Sequence, residues 1–498
     1  MTRSPGAEGE LPARDGAGSV QDGAWPDGAK GWVEAAWAAL GGAPDALSRL
    51  APAVRDDTLA ARLPVRALAR ACVGVCALAA AELTARRTGG DMPHARVDDG
   101  AVAAAFTSER HLLVDGRAPE TFAPLSRFWR TSDGWVRTHA NYPHHRERLL
   151  TALGLPGTAS VDAVASAIAA RPSLEVEDTV YAAGGLAVAL RTPARWAAHP
   201  QAAAVARLPL VERDLLGGGA PRALPPLAGG PLRPASGVRV LDLTRVIAGP
   251  VATRTLALLG ADVLRVDAPG RPELPDQHAD TGFGKRSTTL DLGVRADLRT
   301  FDELLAGADV VVTGYRPGAL DRFGLSPEAL AARAPGVVVA RLSAWGAGGP
   351  WEHRRGFDSL VQVATGIAAT EGSAAKPGAL PAQALDHGTG YLLAAAVLRA
   401  LSEGLADPAG GTRVARLALA RTAAWLTGGP ETAAGASERA VGASEAAAPS
   451  YDPAPWLAHT DGPLGRLRHA LPPVSFTGGP VNWEHPPGPW GADAPGWR

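Results

Sequence analysis

Asp386 stands in PAQALDHGTGYLLAAAVLRAL, at the head of a long apolar run and just before Gly388 and Gly390. A carboxylate there has two kinds of work open to it. It can cap the helix that follows, accepting orphan N–H groups and meeting the positive end of the dipole. Or it can attack an activated carbonyl as a nucleophile. In that second role the small Gly388, Thr389 and Gly390 would let a bulky thioester approach, and nearby backbone N–H groups would steady an oxyanion. His387 is the adjacent candidate base, although a histidine at a helix start is more often a surface residue.

Other segments carry groups suited to an anionic ligand. KRSTTLDLG (285–293), ADVVVTGYRPGALDRFGL (308–325) and VVVARLSAWGAGGPWEH (337–353) each join a buried strand to a turn of Gly, Arg or aromatic residues. Strand ends of one parallel sheet face the same way, so these turns form a rim. Arg271, Lys285, Arg286, Arg316 and Arg322 are positioned to bring charge to phosphates there. The balance of 49 Lys+Arg against 50 Asp+Glu argues against a nucleic-acid surface, so any anion is met locally. Cys72 and Cys76 are the two cysteines, without metal-ligand spacing, and read as buried structural thiols in a reducing cytoplasm. No metal site is expected. The N-terminus lacks the apolar core of a signal peptide, and no apolar run reaches membrane-spanning length.

The element that positions these groups is VRVLDLTRVIAGPVATRTLALLGADVLRVD, Val238 to Asp267. It reads as strand, turn, helix with Pro250 in its first turn, and second strand. Such a pair is parallel with a right-handed crossover and marks the edge of a doubly wound sheet. Ligands of such sheets sit beyond the carboxyl ends of the strands, here at the Thr244–Pro250 turn and after Asp267.

The expected organisation is a disordered tail over 1–29, a helical segment over 30–123 and a small α+β domain over 124–214. A Pro/Gly linker over 215–235 leads to the main α/β domain at 236–428. A loose stretch over 429–449 and an extended, tryptophan-bearing strap over 450–498 complete the chain. One internal echo runs through it: apolar helix, Gly-Gly, short strand, helix, first from Val65 and again from Ala382. It sets Leu385 and Asp386 against Leu68 and Ala69, so segment 30–123 reads as a degenerate partial repeat of the main domain.

The blocks RVLDLTRVIAGPVATRTLALLGADVLRVDAPG, GKRSTTLDLG, GYRPGALDRFGL, LSAWGAGGPW, GFDSLVQVATG and ALDHGTGYLLAAAVLRAL, in that order, resemble the family III coenzyme A transferases. Relatives of that family include formyl-CoA and carnitine CoA-transferases and α-methylacyl-CoA racemases. The resemblance covers about Val238 to Leu401. It implies a Rossmann-like parallel-sheet large domain plus a smaller α+β domain. The region 128–201 is similar to the family's small domain but precedes the large one instead of following it. By resemblance Asp386 is the catalytic aspartate, passing through a mixed anhydride and an aspartyl-CoA thioester. Ile247, Ala248, Arg271, Leu290, Asp291, Leu292, Gly293, Tyr315, Arg316, Arg322, Trp345 and Gly346 fall at coenzyme A contacts. The implied ligands are acyl-CoA and small carboxylic acids as substrates, with no permanent cofactor, no nucleic acid and no membrane. A homodimer and a pseudo-dimer within one chain both stay open. Ile247 stands where formyl-CoA transferases carry a glutamine, which implies a less polar acyl group. Gly356-Phe357-Asp358 stands where the racemases carry Gly-His-Asp, which disfavours racemisation. The competing readings are a non-catalytic acyl-CoA binder and a racemase-like isomerase.

Overall fold

The computed structural model describes residues 21–23, 25–26, 28–227, 229–373, 375–407, 410–430 and 451–498. Its main sheet has seven strands, in spatial order Arg286–Thr289, Asp262–Asp267, Arg239–Leu243, Val310–Thr313, Val338–Ser343, Thr412–Ala418 and Glu212–Leu216. The first six are parallel and the last is antiparallel to its neighbour. Val310, Val311 and Val312 show why the central strands read as unbroken apolar runs: a parallel sheet is covered on both faces, so neither side chain of a pleat reaches water. Taken in chain order, the six parallel strands follow the doubly wound pattern 3-2-1-4-5-6. The Val238–Asp267 unit therefore lies inside the sheet, not at its edge. The edge is Arg286–Thr289.

Helix Ala384–Ala406 is buried along nearly its whole length, between helices Val65–Thr88 and Ala248–Leu258. Its glycines are explained by that wedge. A Cβ on Gly388 would lie 2.9 Å from a Leu68 methyl, and one on Gly390 would lie 2.5 Å from the Ala248 carbonyl oxygen. They admit neighbouring helices, where the sequence suggested room for a substrate. Val65–Thr88 is long and apolar enough to cross a membrane, contrary to the expectation from the sequence, yet 94% of its most apolar window is buried inside the protein. It is a core helix.

Segment 30–123 is less helical than expected. Strands Leu50–Val54 and Ala95–Asp98 pair in parallel, joined by Val65–Thr88 and followed by helix Asp99–Phe106. Strand Val338–Ser343, helix Ala384–Ala406, strand Thr412–Ala418 and helix Leu419–Gly428 follow the same order. Of the tail expected over 1–29, Gln21–Asp22 pairs antiparallel with Ala53 and Val54, and residues 1–20 lie outside the described residues.

The small unit has three antiparallel strands, Phe128–Arg130, Trp135–Thr138 and Ala187–Ala189, with the first two turning at Asp133 and Gly134. The boundary expected at 214/215 runs through a strand, since Glu212–Leu216 completes the main sheet. Part of the expected linker is also tied down, Arg222 pairing with Asp309 through its Nε at 3.0 Å. Residues 431–450, most of the stretch expected to be loose, lie outside the described residues.

The final segment opens with a hairpin, Leu457–Gly462 against Gly465–Ala470, before it becomes a strap. The strap is held by indole N–H groups: Trp483 to the Arg254 carbonyl, Trp490 to the Asp267 carboxylate and Trp497 to the Leu304 carbonyl. Asp493 exchanges bonds with Ser287, and Ala492 lies opposite Thr288. The open edge of the sheet is thereby covered, removing a template for pairing with another chain.

Gly390→Ala tests the wedge. In an ordinary helix interior glycine to alanine gains about 1 kcal/mol. Here the new methyl meets a backbone carbonyl, and the overpacking cost of about 1–3 kcal/mol outweighs that gain. Urea unfolding is expected to show a lower midpoint for the variant.

Candidate functional site

The order of the sheet reverses between Arg239–Leu243 and Val310–Thr313, and a cleft of about 760 Å³ opens at their carboxyl ends. Its floor includes Leu243, Arg245, Val246 and Ala248 from one turn and Gly314, Tyr315 and Arg316 from the other. Two buried anchors hold the first turn. Asp242 accepts from the Thr244 and Thr253 hydroxyls and from Lys285 Nζ at 3.1 Å. Lys285 Nζ also donates to the Pro250 carbonyl at 3.0 Å, and burial lowers its pKa to about 8 despite Asp242. Lys285 is thus a brace for the turn, not a phosphate contact. Arg286 is bound to Asp262 at 2.8 Å, at the opposite end of its strand. Val246 sits at φ 70°, a left-handed conformation that costs a β-branched residue about 1–3 kcal/mol. Its N–H bonds to Glu273 at 3.2 Å, one of the contacts that hold it there.

The cleft is cationic. Arg148, Arg245, Arg271, Arg316, Arg322, Arg354 and Arg355 line it. Arg245 is engaged by Glu273 at 3.3 Å and Arg354 by Glu177 at 3.2 Å. Among the described residues, no carboxylate lies within ion-pair distance of Arg271, Arg316, Arg322 or Arg355. The crowding shows in neighbouring groups. Burial, then repulsion from Arg316, Arg148 and Arg271, lowers the Arg355 pKa, and burial followed by Arg271 and Arg148 brings His144 down to about 4. Clustered cations of this kind raise the local potential for anions.

A second cavity of about 190 Å³ adjoins the cleft, and Tyr142, Val246, Phe357 and Asp386 line both. Asp386 belongs to the first turn of its helix, and its carboxylate makes no hydrogen bond within the described residues. The capping is done from elsewhere. Asp358 Oδ2 accepts the Leu385 N–H at 2.8 Å and the Asp386 N–H at 3.0 Å, and Gln362 Nε2 donates to Oδ1. The His387 N–H bonds to the Gln383 carbonyl, so these amides are not waiting for an oxyanion. Burial first, then the charges of Asp358 and Glu109, raises the Asp386 pKa well above the usual carboxylate range. Burial also raises the Asp358 pKa, to about 6, but three donors hold its ionised form and Asp386 has none, so Asp386 is the harder of the two to ionise.

His387 is 1% exposed, not a surface residue, stacked on Phe106 with its Nε2 3.6 Å from Glu109 Oε2. Burial works to raise the Glu109 pKa, but the facing imidazole outweighs it and the pKa is lowered. Phe357, in the Gly356-Phe357-Asp358 triplet, lies flat on His139 at 3.7 Å between centroids.

Of the residues singled out in the sequence, Ala248, Arg271, Leu290, Asp291, Leu292, Tyr315, Arg316, Arg322 and Asp386 line the cleft. Ile247 lines the smaller cavity. Gly293 closes a turn through Asp291 Oδ1 at 2.9 Å. Trp345 is buried edge-on to Trp351 and away from both cavities; its indole donates to the Arg355 carbonyl at 3.2 Å. Gly346 lines a side crevice of about 60 Å³ with Tyr315. The sequence reading missed Tyr142, His144, Arg148, Arg245, Arg354, Arg355 and Glu109. The pair Arg354-Arg355 beside the Gly356 triplet was the one local signal available. Among the described residues no group of His, Cys, Asp and Glu could hold a metal ion.

Residues 235–464 match the model of CoA-transferase family III. A protein of Mycobacterium tuberculosis named "probable fatty acyl-CoA transferase" is 38% identical over 188 residues, which cover 34% of this chain and 47% of that protein. The acetyl-coenzyme A transferase of Hypoxylon pulicicidum is 38% identical over 191 residues, 37% of this chain and 32% of its own. The formyl-CoA:oxalate CoA-transferase of a Bradyrhizobium strain is 36% identical over 178 residues, 33% of this chain and 42% of its own. The chain thus spans less than half the length of these curated relatives. Among solved structures, a CaiB/BaiF family protein of Brucella suis is 27% identical, with 41% of this chain and 58% of that one covered at a TM-score of 0.36.

The raised pKa of Asp386 makes a linkage prediction. An acid whose pKa is raised on folding gives a stability contribution that is fully present below its unfolded value and is lost as pH rises through the folded one. Asp386→Asn removes that loss. In urea unfolding its stability relative to the unaltered protein is expected to be lowest near pH 4 and to rise toward pH 7, by up to about 1.4 kcal/mol per pH unit.

Proposed function

We propose that this chain, whose central region matches CoA-transferase family III, moves CoA from an acyl-CoA donor to a carboxylic acid. The reading rests on one observation: the Asp386 carboxylate, free of hydrogen-bond donors among the described residues, lines both an arginine-lined cleft and a smaller pocket.

In this reading the cleft receives the phosphates of coenzyme A, and its cations supply the charge a polyanion needs. Asp386 first releases its proton to water in the cavities it lines, and its carboxylate then attacks the thioester carbonyl carbon. The carbon–sulfur bond breaks, coenzyme A leaves as thiolate, and a mixed anhydride forms. The thiolate then attacks the aspartyl carbonyl, releasing the donor acid as carboxylate and leaving an aspartyl-CoA thioester. The acceptor carboxylate attacks that thioester and repeats both steps in reverse, which regenerates the Asp386 carboxylate. A carboxylate suits the task because an anhydride keeps the acyl group activated while the acids exchange. Phe357 moves no proton, which argues against isomerisation at the α-carbon. The small pocket draws walls from 109–123 and 139–142 of the same chain, so we read the site as complete in one copy, with 30–123 the counterpart of the main domain. The buried free thiols of Cys72 and Cys76 fit a reducing cytoplasm.

Incubation with butyryl-CoA followed by peptide mass mapping is expected to find an acyl or CoA adduct on Asp386. Asp386→Ala is expected to lose transfer by on the order of 10⁴-fold or more, the scale seen when a nucleophile is removed. No adduct together with equal rates for both proteins would leave only a CoA-binding protein. Arg316→Ala, which removes one unpaired cation, is expected to raise KM for acyl-CoA about tenfold with kcat nearly unchanged.

A further inference from the structure

The pocket beside Asp386 has a charge pattern that limits which acid it accepts. Among the described residues lining it are five carboxylates, Glu109, Glu120, Asp276, Asp358 and Asp386, and neither a lysine nor an arginine. Of these, Asp276 is neutralised by Arg117 at 2.6 Å, and Asp358 is held by helix N–H groups. Glu109 is held ionised by His387 and, through its Oε1, pairs with Arg110 at 3.7 Å, while its Oε2 has no hydrogen-bond partner. Arg110 and Arg137, the latter lying over the rings of Phe122 and Phe128, do not line the pocket. The remaining wall is apolar, with Ile247, Phe122 and Phe357 prominent.

The donors that face this space are neutral. Gln277 Nε2 and His139 Nδ1 are both without a partner, and burial followed by Arg137 lowers the His139 pKa to about 3, so its ring is uncharged at working pH. A cavity of about 190 Å³ offers roughly the liquid-volume share of six waters, enough for a short acyl chain.

We propose that the acyl group handled here is that of a short monocarboxylic acid, and that acids with a second carboxylate are rejected. The inference rests on the transferase reading, with Asp386 as the point of attachment. The reacting carboxyl or thioester end meets Asp386, so the far end of the acyl chain points into the pocket. An uncharged tail loses only water there. A terminal carboxylate finds no lysine or arginine on this wall to answer it and carboxylates around it, and an unpaired charge taken out of water is strongly unfavourable. Gln277 and His139 offer hydrogen bonds to a neutral hydroxyl or keto oxygen, so polarity is tolerated where negative charge is not.

The test uses butyryl-CoA and succinyl-CoA, which have equal chain length and differ by one terminal carboxylate. On the full chain, kcat/KM is expected to favour butyryl-CoA by about 100-fold or more. Glu109→Gln is expected to narrow that ratio, and Gln277→Arg, which adds a cation to the wall, to narrow it further or reverse it. Calorimetric binding of both thioesters to Asp386→Asn reads the same preference without turnover. Equal binding, or tighter binding of succinyl-CoA, overturns the inference whatever the catalytic outcome. If butyryl-CoA binds preferentially but neither thioester is turned over nor leaves an adduct on the unaltered protein, the pocket assignment stands as a binding preference and the transferase reading fails.

Discussion

The site depends on the grip of Asp358 on the first turn of helix Ala384–Ala406. A helix start exposes N–H groups that must be satisfied, and the nearest carboxylate in sequence is Asp386. Had Asp386 taken that role, its oxygens would have been turned back onto the backbone. Asp358 arrives from a separate short helix, already held by Gln362, and takes both N–H groups with one oxygen. Asp386 is thereby left facing open space in a buried setting. Two carboxylates so placed cannot both be ionised cheaply, and the one that collects the donors keeps its charge. The arrangement that leaves the Asp386 carboxylate facing the cavities also makes it costly to ionise.

The two cavities that meet at Asp386 differ in charge. One side is lined by arginines, of which burial and then the charges of Arg316, Arg148 and Arg271 lower the Arg355 pKa, and the other by carboxylates with neither lysine nor arginine. Val246, Phe357 and Tyr142 stand with Asp386 at the junction. A ligand spanning both must carry its negative charge at one end and little at the other. The proposed CoA thioester of an uncharged acid would have that polarity. Val246 lies at this junction in a left-handed conformation held by Glu273, and Glu273 is in turn fixed by Arg265 and by the Tyr142 hydroxyl. Strain of this sort persists where surrounding contacts over-determine a turn, and it is found at sites with a task.

Much of the sheet was legible because its signals are local. Runs such as Val310–Thr313 announce buried parallel strands, and the turn after Leu243 marks a ligand edge by the rule for doubly wound sheets. The rim residues Arg271, Tyr315, Arg316 and Arg322 follow from strand ends alone. Misreadings came where distant segments decide a residue's role. Lys285 looks like a phosphate contact until Asp242 is set beneath it, and Gly388 and Gly390 look like substrate clearance until Leu68 and Ala248 are brought against them. Tyr142, Arg148 and Glu109 reach the site from segments that precede the main domain by about a hundred residues or more, and no spacing rule connects them.

The two segments with the same element order differ in their carboxylates. Helix Val65–Thr88 carries Ala69 at the place that the sequence echo sets against Asp386. The nearest acidic residue at the end of that unit, Asp99, accepts from Arg70 Nε at 2.8 Å and Nη2 at 2.6 Å, and from the Arg55 N–H at 3.0 Å. A buried carboxylate held by an arginine fork and a backbone N–H is a structural ion pair, and removing a partner would leave a charge stranded in the core. The N-terminal unit thus retains the strand-helix-strand-helix order as packing. Its long helix supplies the surface against which Ala384–Ala406 is wedged, and the following segment supplies Glu109 and the 119–123 wall of the smaller pocket.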